Sequence, residues 1–386
     1  MTKIIKLIIL ITAATFIATP NFVLAQKDSE QNNSQEEIFE ARVLEILEQK
    51  EITREDGSES ILQKIKLLGL EGKWKDREIT FDGTEVDVIA HNLYKQGDKV
   101  IVSHSQDMDG NDYYYVTDFV RRGKLYWLAG IFILIILLTG KWRGFRAILG
   151  LAFSFFIILK LIIPQILSGH NPLLVSLFYA LLIILVSTYL VYGLNKKSTV
   201  AILGTFAGIA IVGLLSIIFT NLTKLAGFAQ EETIYLVGLT GGNINLQGLL
   251  LAGFIIGALG VLDDITVSQV STVQEIKGVN PNLTRLEIYK KAMRVGVDHI
   301  ASMVNTLFLA YAGASLPLLL LFNFNQPPFL NFGQVINYEI VATEIVRTLV
   351  GSIGLALAVP TTTFLAAYFY KKNVPSKTDA NNENYK

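Results

Sequence analysis

The sequence predicts an all-α polytopic membrane bundle of about seven transmembrane helices, preceded by a small extracytoplasmic β-barrel-like domain. Three observations carry that prediction. The 386 residues are 51% hydrophobic and only 17% charged, with a mean hydropathy of +0.45, which suits a multi-span membrane protein better than a soluble one. Apolar runs of spanning length begin only after residue 123. Ahead of them lies a stretch of different character, with short alternating runs and turn signals.

Residues 1–25 read as a signal peptide. Lys3 and Lys6 precede an apolar run from Leu7 to Ala18, Pro20 breaks it, and "VLA" at Val23–Ala25 supplies small residues for cleavage before Gln26. The alternative is an uncleaved anchor. Residues 26–37 form a polar linker, "QKDSEQNNSQEE", of disordered composition.

Residues 38–122 form the extracytoplasmic domain. "FEARVLEILE", "SILQKIKLLGL", "REITF", "DKVIVSHS" and "YYYVTDFV" read as strands, separated by "EDGS", "FDGT", "KQGD" and "DMDGND". Five short strands suggest an OB-like barrel. "DMDGND" places its glycine too early for a calcium loop and reads as a hairpin turn.

The helical domain covers 123–371, with spans expected near 124–140, 145–163, 172–194, 199–220, 247–270, 300–321 and 348–370. A secreted N-terminal domain fixes their directions. Inner segments then carry Lys141, Arg143 and Arg146; Lys196 and Lys197; Lys277, Arg285, Lys290, Lys291 and Arg294; and Lys371, Lys372 and Lys377. Outer loops carry Lys224 and Arg347. This matches the positive-inside rule and leaves 372–386 as a cytoplasmic tail. Within the segment 274–298 a helix is expected to start at "NP" (Asn280–Pro281) and reads either as an amphipathic helix at the inner interface or as a solvated connecting helix. Lys160 is expected to snorkel outward.

The fifth span carries Asp263 and Asp264. Gly253, Gly257, Gly260, Asp264, Ser268, Ser271 and Glu275 follow helical spacing. That stripe is expected to face the bundle, with Asp263 to one side. A carboxylate in mid-span costs roughly 2.5–3.5 kcal/mol on insertion scales, so partners are expected. At about 1.5 Å rise per residue, Asn305 of the sixth span and Thr361, Thr362 and Thr363 of "AVPTTTFLAA" lie at a similar depth, as do Thr205, Ser187 and Thr188. Asp263, Asp264, Ser268, Asn305, Thr361, Thr362 and Thr363 are therefore the candidate ion- or substrate-binding residues. Their hard oxygen ligands suit a proton or small cation. Two adjacent acids repel one another's charge, which makes one of them a candidate proton carrier. The other reading of the layer is a buried polar seam whose hydroxyls bond back to their own helices.

Composition and spacing also bound the function. There is no cysteine, the formal net charge is zero, and His91, His104, His170 and His299 are scattered. Nucleic acid, thiolate chemistry and organic cofactors are not expected. The two acids stand about 100° apart on one helix, so they do not face one another as a protease dyad would. No nucleophile–base pair shares a layer, so an enzyme is not expected.

The order of signal peptide, β domain, spans, "GALGVLDDITVSQVSTVQEI" and a late "GSIGLALAVPTTT" resembles the YibE/F-like family of bacterial multi-pass membrane proteins. The resemblance runs from about Val43 to Phe369. The doubled acid departs from the single one that members tend to show. The resemblance implies a bacterial plasma (inner) membrane and a polytopic helical domain, and it implies no established reaction. Two functions follow as expectations. One is a permease or ion-coupled transporter with the lipid bilayer as its medium. The other is a non-transporting sensor or assembly factor whose outer domain binds a ligand or protein.

Overall fold

The computed structural model describes residues 37–53, 59–84, 93–106, 111–228, 231–320 and 330–370. The expected signal peptide, nearly all of the linker, the C-terminal tail and most of "DMDGND" lie outside them. The chain divides into two compact units, split between Ile135 and Ile136, and each is described by itself.

The first unit contains five antiparallel strands: β1 (Glu37–Thr53), β2 (Glu59–Gly69), β3 (Glu78–Asp82), β4 (Lys99–Gln106) and β5 (Asp112–Phe119). All five fall on the runs read from the sequence. Their order is β3-β2-β1-β4-β5. The long β1 pairs on both sides and bends through two register shifts, between Val43 and Glu45 and between Ile46 and Glu48. Such bulges increase local twist. The sheet curls into a half-barrel, with the edge strands β3 and β5 near one another. Alternation places Phe39, Ala41, Val43, Ile65, Leu67, Ile79, Phe81, Val100, Val102 and Val116 inside, closed by Trp74 and Tyr94. Outside the core, Lys64 and Thr84 hold the Asp82 carboxyl down to about 2.

The second unit is helical. Its helices are α1 (Arg122–Leu167), α2 (Pro172–Tyr192), α3 (Lys196–Leu222), α4 (Glu231–Thr240), α5 (Leu246–Val279), α6 (Arg285–Ala314), α7 (Leu316–Leu320), α8 (Phe332–Ile336) and α9 (Glu339–Phe369). Helix α1 starts in the first unit. Asparagines start three of the long helices. Asn171 accepts from the amides of Leu173 and Leu174 at 3.0 and 3.3 Å, Asn195 from Ser198 at 2.9 Å and Asn245 from Gly248 at 2.8 Å.

Five helices, α1, α2, α3, α5 and α9, are long and apolar enough to cross a membrane. Helix α1 is broken at Lys141, whose φ and ψ are 46° and −127°. A Cβ on Gly144 would lie 2.2 Å from the Ile136 carbonyl oxygen. Eight residues along a straight helix would separate them by ~12 Å, so the chain folds sharply at the break. The expected spans 124–140 and 145–163 fall on its two sides.

Among the described residues these are five candidates against about seven expected spans; the expected span 300–321 falls on α6 and α7, and α6 is not among the five, so the count of about seven is not confirmed. Two expectations are corrected. The helix expected to start at "NP" starts instead at Thr284. There the Thr284 hydroxyl accepts from the Glu287 amide and Glu287 takes the Thr284 amide, a capping box. It then runs on without a break to Ala314. Arg347 is not in a loop: it lies in α9, paired with Glu344 at 2.8 Å.

Helices α3, α5 and α9 pack on one another, α2 lies against α5 and α3, and α6 lies against α9 and α5. Close approach explains the small residues. A Cβ on Gly204 would meet Thr362 Oγ1 at 2.3 Å, and one on Gly354 would meet Val212 at 2.1 Å. On α9, Gly354 and Ala358 belong to this face, whereas Gly351 has open space.

Candidate functional site

Helix α5 has two faces that differ in chemistry. Its buried face is Leu251, Ala252, Phe254, Ile255, Ala258, Leu259, Leu262, Ile265, Thr266, Gln269, Val270 and Val273. The expected inward stripe points the other way. Gly253, Gly257, Gly260, Asp264 and Glu275 are all exposed, and Ser268 and Ser271 are only half-buried. Asp264 therefore does not face the packed bundle. A Cβ added at Gly253 or Gly260 would have nothing within 4 Å, and one at Gly257 would meet only the Tyr311 hydroxyl, at 3.1 Å. Asp263, expected to one side, is the more enclosed of the two acids.

Both acids line one cleft, formed by the second half of α1, by α2 and by α5, with a volume of about 470 Å³. The Thr188 hydroxyl donates to Asp263 Oδ1 at 3.1 Å. The Thr266 hydroxyl donates to the Asp263 carbonyl at 3.1 Å. Ser154, Ser187 and the Tyr192 ring complete the polar lining. The two serines bond back to Gly150 and Ile184 on their own helices. A Cβ on Gly150 would sit 3.7 Å from Ser187 across the α1–α2 contact, close enough for the two helices to form one wall. Among the described residues no ion pair joins either acid to a cation. The Thr188 hydroxyl meets the Asp263 carboxylate, and the Asp264 carboxylate is open to the cleft.

Two further cavities adjoin this cleft. An upper one, at the end where α2, α5 and α9 begin, holds about 340 Å³ and shares Ile158 and Ile256 with it. A lower one of about 630 Å³ shares Val191 and Tyr192. Ile158 opens a π-helical turn, Ile158–Ile162, in which the Ile163 amide reaches back to the Ile158 carbonyl. Pro164 follows directly and lacks the N–H that would have bonded Lys160 in an α-helix. Sequence explains the turn, and such turns concentrate at functional sites.

The remaining predicted residues do not join the cleft. Asn305 is exposed on α6. Thr361 and Thr363 donate to the carbonyls of Leu357 and Val359 on their own helix, each at 2.7 Å. Thr362 is fully buried against Gly204, its hydroxyl without a partner. Thr205 bonds Thr266 at 2.6 Å between α3 and α5, with both residues at 0% exposure. Gln269, equally buried, donates to the Ala292 carbonyl at 2.9 Å. The threonines expected at one depth, and Gln269, face into separate helix contacts. Gln269 and Tyr192 are not among the residues that sequence reasoning singles out. An amide inside an apolar run is the available signal for Gln269, and a tyrosine at a span end carries none.

Among the described residues no group of three or more His, Asp or Glu side chains could hold a metal ion. The sequence model of the YibE/F-like protein family matches residues 128–372, more than half of the chain. The match leaves out the β domain, which the resemblance includes. None of the curated proteins and none of the solved structures compared matches the chain. The chain belongs to the YibE/F-like family.

Proposed function

We propose that this YibE/F-like protein is a permease or ion-coupled transporter, not an enzyme, and that a proton or small cation moves past Asp263 and Asp264. The observation that carries the reading is the run of three cavities linked by shared walls, with the two carboxylates in the middle one. Ionisable side chains within spans are costly and commonly mark ion and proton pathways. The upper link is narrow in chemistry: Ile158 and Ile256 are apolar, and apolar constrictions gate by excluding water. The π turn beginning at Ile158 supplies a backbone that can change register there. In this reading Asp263, held by Thr188, accepts the ion or proton, and Asp264 supplies the field that draws it in.

The proposal places the protein in the plasma membrane of a bacterium, with the β domain outside and the tail inside. The two halves of α1 and helix α6 would complete seven crossings. Ser268 lines none of the three cavities and, with Asn305 and Thr361–Thr363, drops out of the proposed site.

The test is ion flux into proteoliposomes, with internal pH and sodium followed by dyes. Wild type should carry flux. Asp263→Asn should lower it by at least about tenfold, as the loss of one charge-assisted contact allows. Asn305→Ala should leave it unchanged. Full flux in the Asp263→Asn, Asp264→Asn double variant would overturn the role of the acids and favour the sensor reading.

A further inference from the structure

Four cations surround the lower cavity, drawn from two helices and brought together by the fold. Arg143 and Arg146 lie one turn apart just after the break in α1. Lys196 and Lys197 form the first turn of α3, where backbone N–H groups also point outward. The lining includes one carboxylate, Glu275, together with Tyr192, Asn195, Gln274 and Tyr370. Four cations against one acid leave an excess of three positive charges around about 630 Å³.

In the first unit several cations are paired: Lys64 with Asp82, Lys66 with Glu78, Lys73 with Glu37, Arg121 with Asp118 and Arg122 with Glu40. Around the pocket no ion pair of this kind is formed among the described residues. Arg146 Nε donates only to the Trp142 carbonyl at 3.5 Å, and Lys197 Nζ stands 5.6 Å from the Tyr192 ring centre. A basic rim in water would scatter its charges outward. Here they converge on a concave, mostly polar pocket, where their mutual repulsion is relieved by an anion.

We infer that this pocket binds the phosphate headgroup of an anionic phospholipid. The depth fits a lipid. Tyr192 ends α2, Lys196 begins α3, and Tyr370 follows the end of α9, so the pocket lies where spans meet the headgroup layer. Trp142, Tyr192 and Tyr370 stand at that level, as interfacial aromatics do. Basic pockets between helix ends recognise such headgroups, each Lys or Arg contributing to the attraction. The inference needs the chain to span a membrane and does not depend on whether it transports. Because Tyr192 also lines the acid cleft, a bound headgroup would fix the wall shared by the two cavities.

The test uses the full chain in a neutral detergent, stripped of lipid and titrated with phosphatidylglycerol or phosphatidylcholine, with binding read by native mass spectrometry. Wild type should bind one phosphatidylglycerol at least about tenfold more tightly than phosphatidylcholine. Arg143→Gln with Lys196→Gln should lose most of that preference, whereas Arg143→Lys with Arg146→Lys should keep it. Lys290→Gln with Lys291→Gln, on α6 outside the pocket, should match wild type. Equal binding of the two lipids by wild type would overturn the inference, and that comparison needs no variant to fold. An unchanged preference in the Arg143→Gln, Lys196→Gln variant would overturn it too. Displacement by inorganic phosphate at matched concentration would reassign the pocket to a soluble phosphate and overturn the lipid as its ligand.

Discussion

The two faces of α5 carry similar polar groups to opposite ends. On the packed face Thr266 meets Thr205 and Gln269 meets the Ala292 carbonyl, all at 0% exposure or within backbone contact. On the other face Asp263 meets one hydroxyl and Asp264 stands exposed in a cleft. Hydroxyls and amides on the first face join helices, which a membrane interior rewards with roughly 0.6–2 kcal/mol per contact. Carboxylates on the second face have no cation partner among the described residues and a space beside them. Depth therefore does not define a site. What a polar group faces, a neighbouring helix or an open cleft, decides its use.

The largest expected effect tests the packed side. Gly204→Leu drives a side chain into Thr362, where even a Cβ would lie 2.3 Å from Oγ1. Overpacking of this kind costs about 1–3 kcal/mol or more. The variant should lose monodisperse protein in gel filtration and fall sharply in thermal midpoint. Gly260→Leu is its counterpart on the cleft face, where nothing lies within 4 Å, and should fold normally. If both glycines tolerate leucine equally, the two faces are not different in packing.

Thr205→Val comes next. It leaves the Thr266 hydroxyl its bond to the Asp263 carbonyl and should cost about 1 kcal/mol by thermal unfolding. Flux should survive. A loss of flux without loss of stability would place this pair in the site and blur the division between the faces.

The smallest effect concerns acid, which must be separated from any pH dependence of flux. Asp82 in the β domain titrates near 2 when folded, below its ordinary 3.8, chiefly because Lys64 bonds it and then because Thr84 does. A lowered folded value stabilises above the ordinary value, and that contribution fades as pH falls from about 4 toward 2. Circular dichroism of the full chain should therefore show no change in β signal between about pH 5 and 8. A transition in that window would make the β domain a source of pH dependence.

Much of this is legible in the residues. The five strands are, since alternation and turn signals mark a half-buried sheet. So are the asparagine caps and the two acids. The packed face of α5 is not. Inside a membrane both lipid and protein are apolar, so the stripe Leu251, Ile255, Leu262 and Ile265 and the lipid-facing positions read alike. Glycines suggest close packing, and at Gly204 and Gly354 they provide it, while Gly253 and Gly260 border open space. The break at Lys141 carries no proline, but the basic run Lys141, Arg143 and Arg146 between the expected spans 124–140 and 145–163 announces it. The start of α6 is readable in "TRLE", a capping box that the nearby "NP" obscures.

If the cleft holding Asp263 and Asp264 is wet while the seam behind it is closed, water-soluble chemistry will tell the two apart. The chain has no cysteine, so single cysteines report cleanly. Ser187→Cys in the cleft and Thr266→Cys in the seam should be treated, in membranes, with a charged methanethiosulfonate reagent, whose sulfur is attacked only by water-exposed thiolates, with methanesulfinate leaving. Ser187→Cys should label fast and Thr266→Cys not at all. Equal labelling of the two, or labelling of neither, would contradict the division of α5 into a wet face and a closed one.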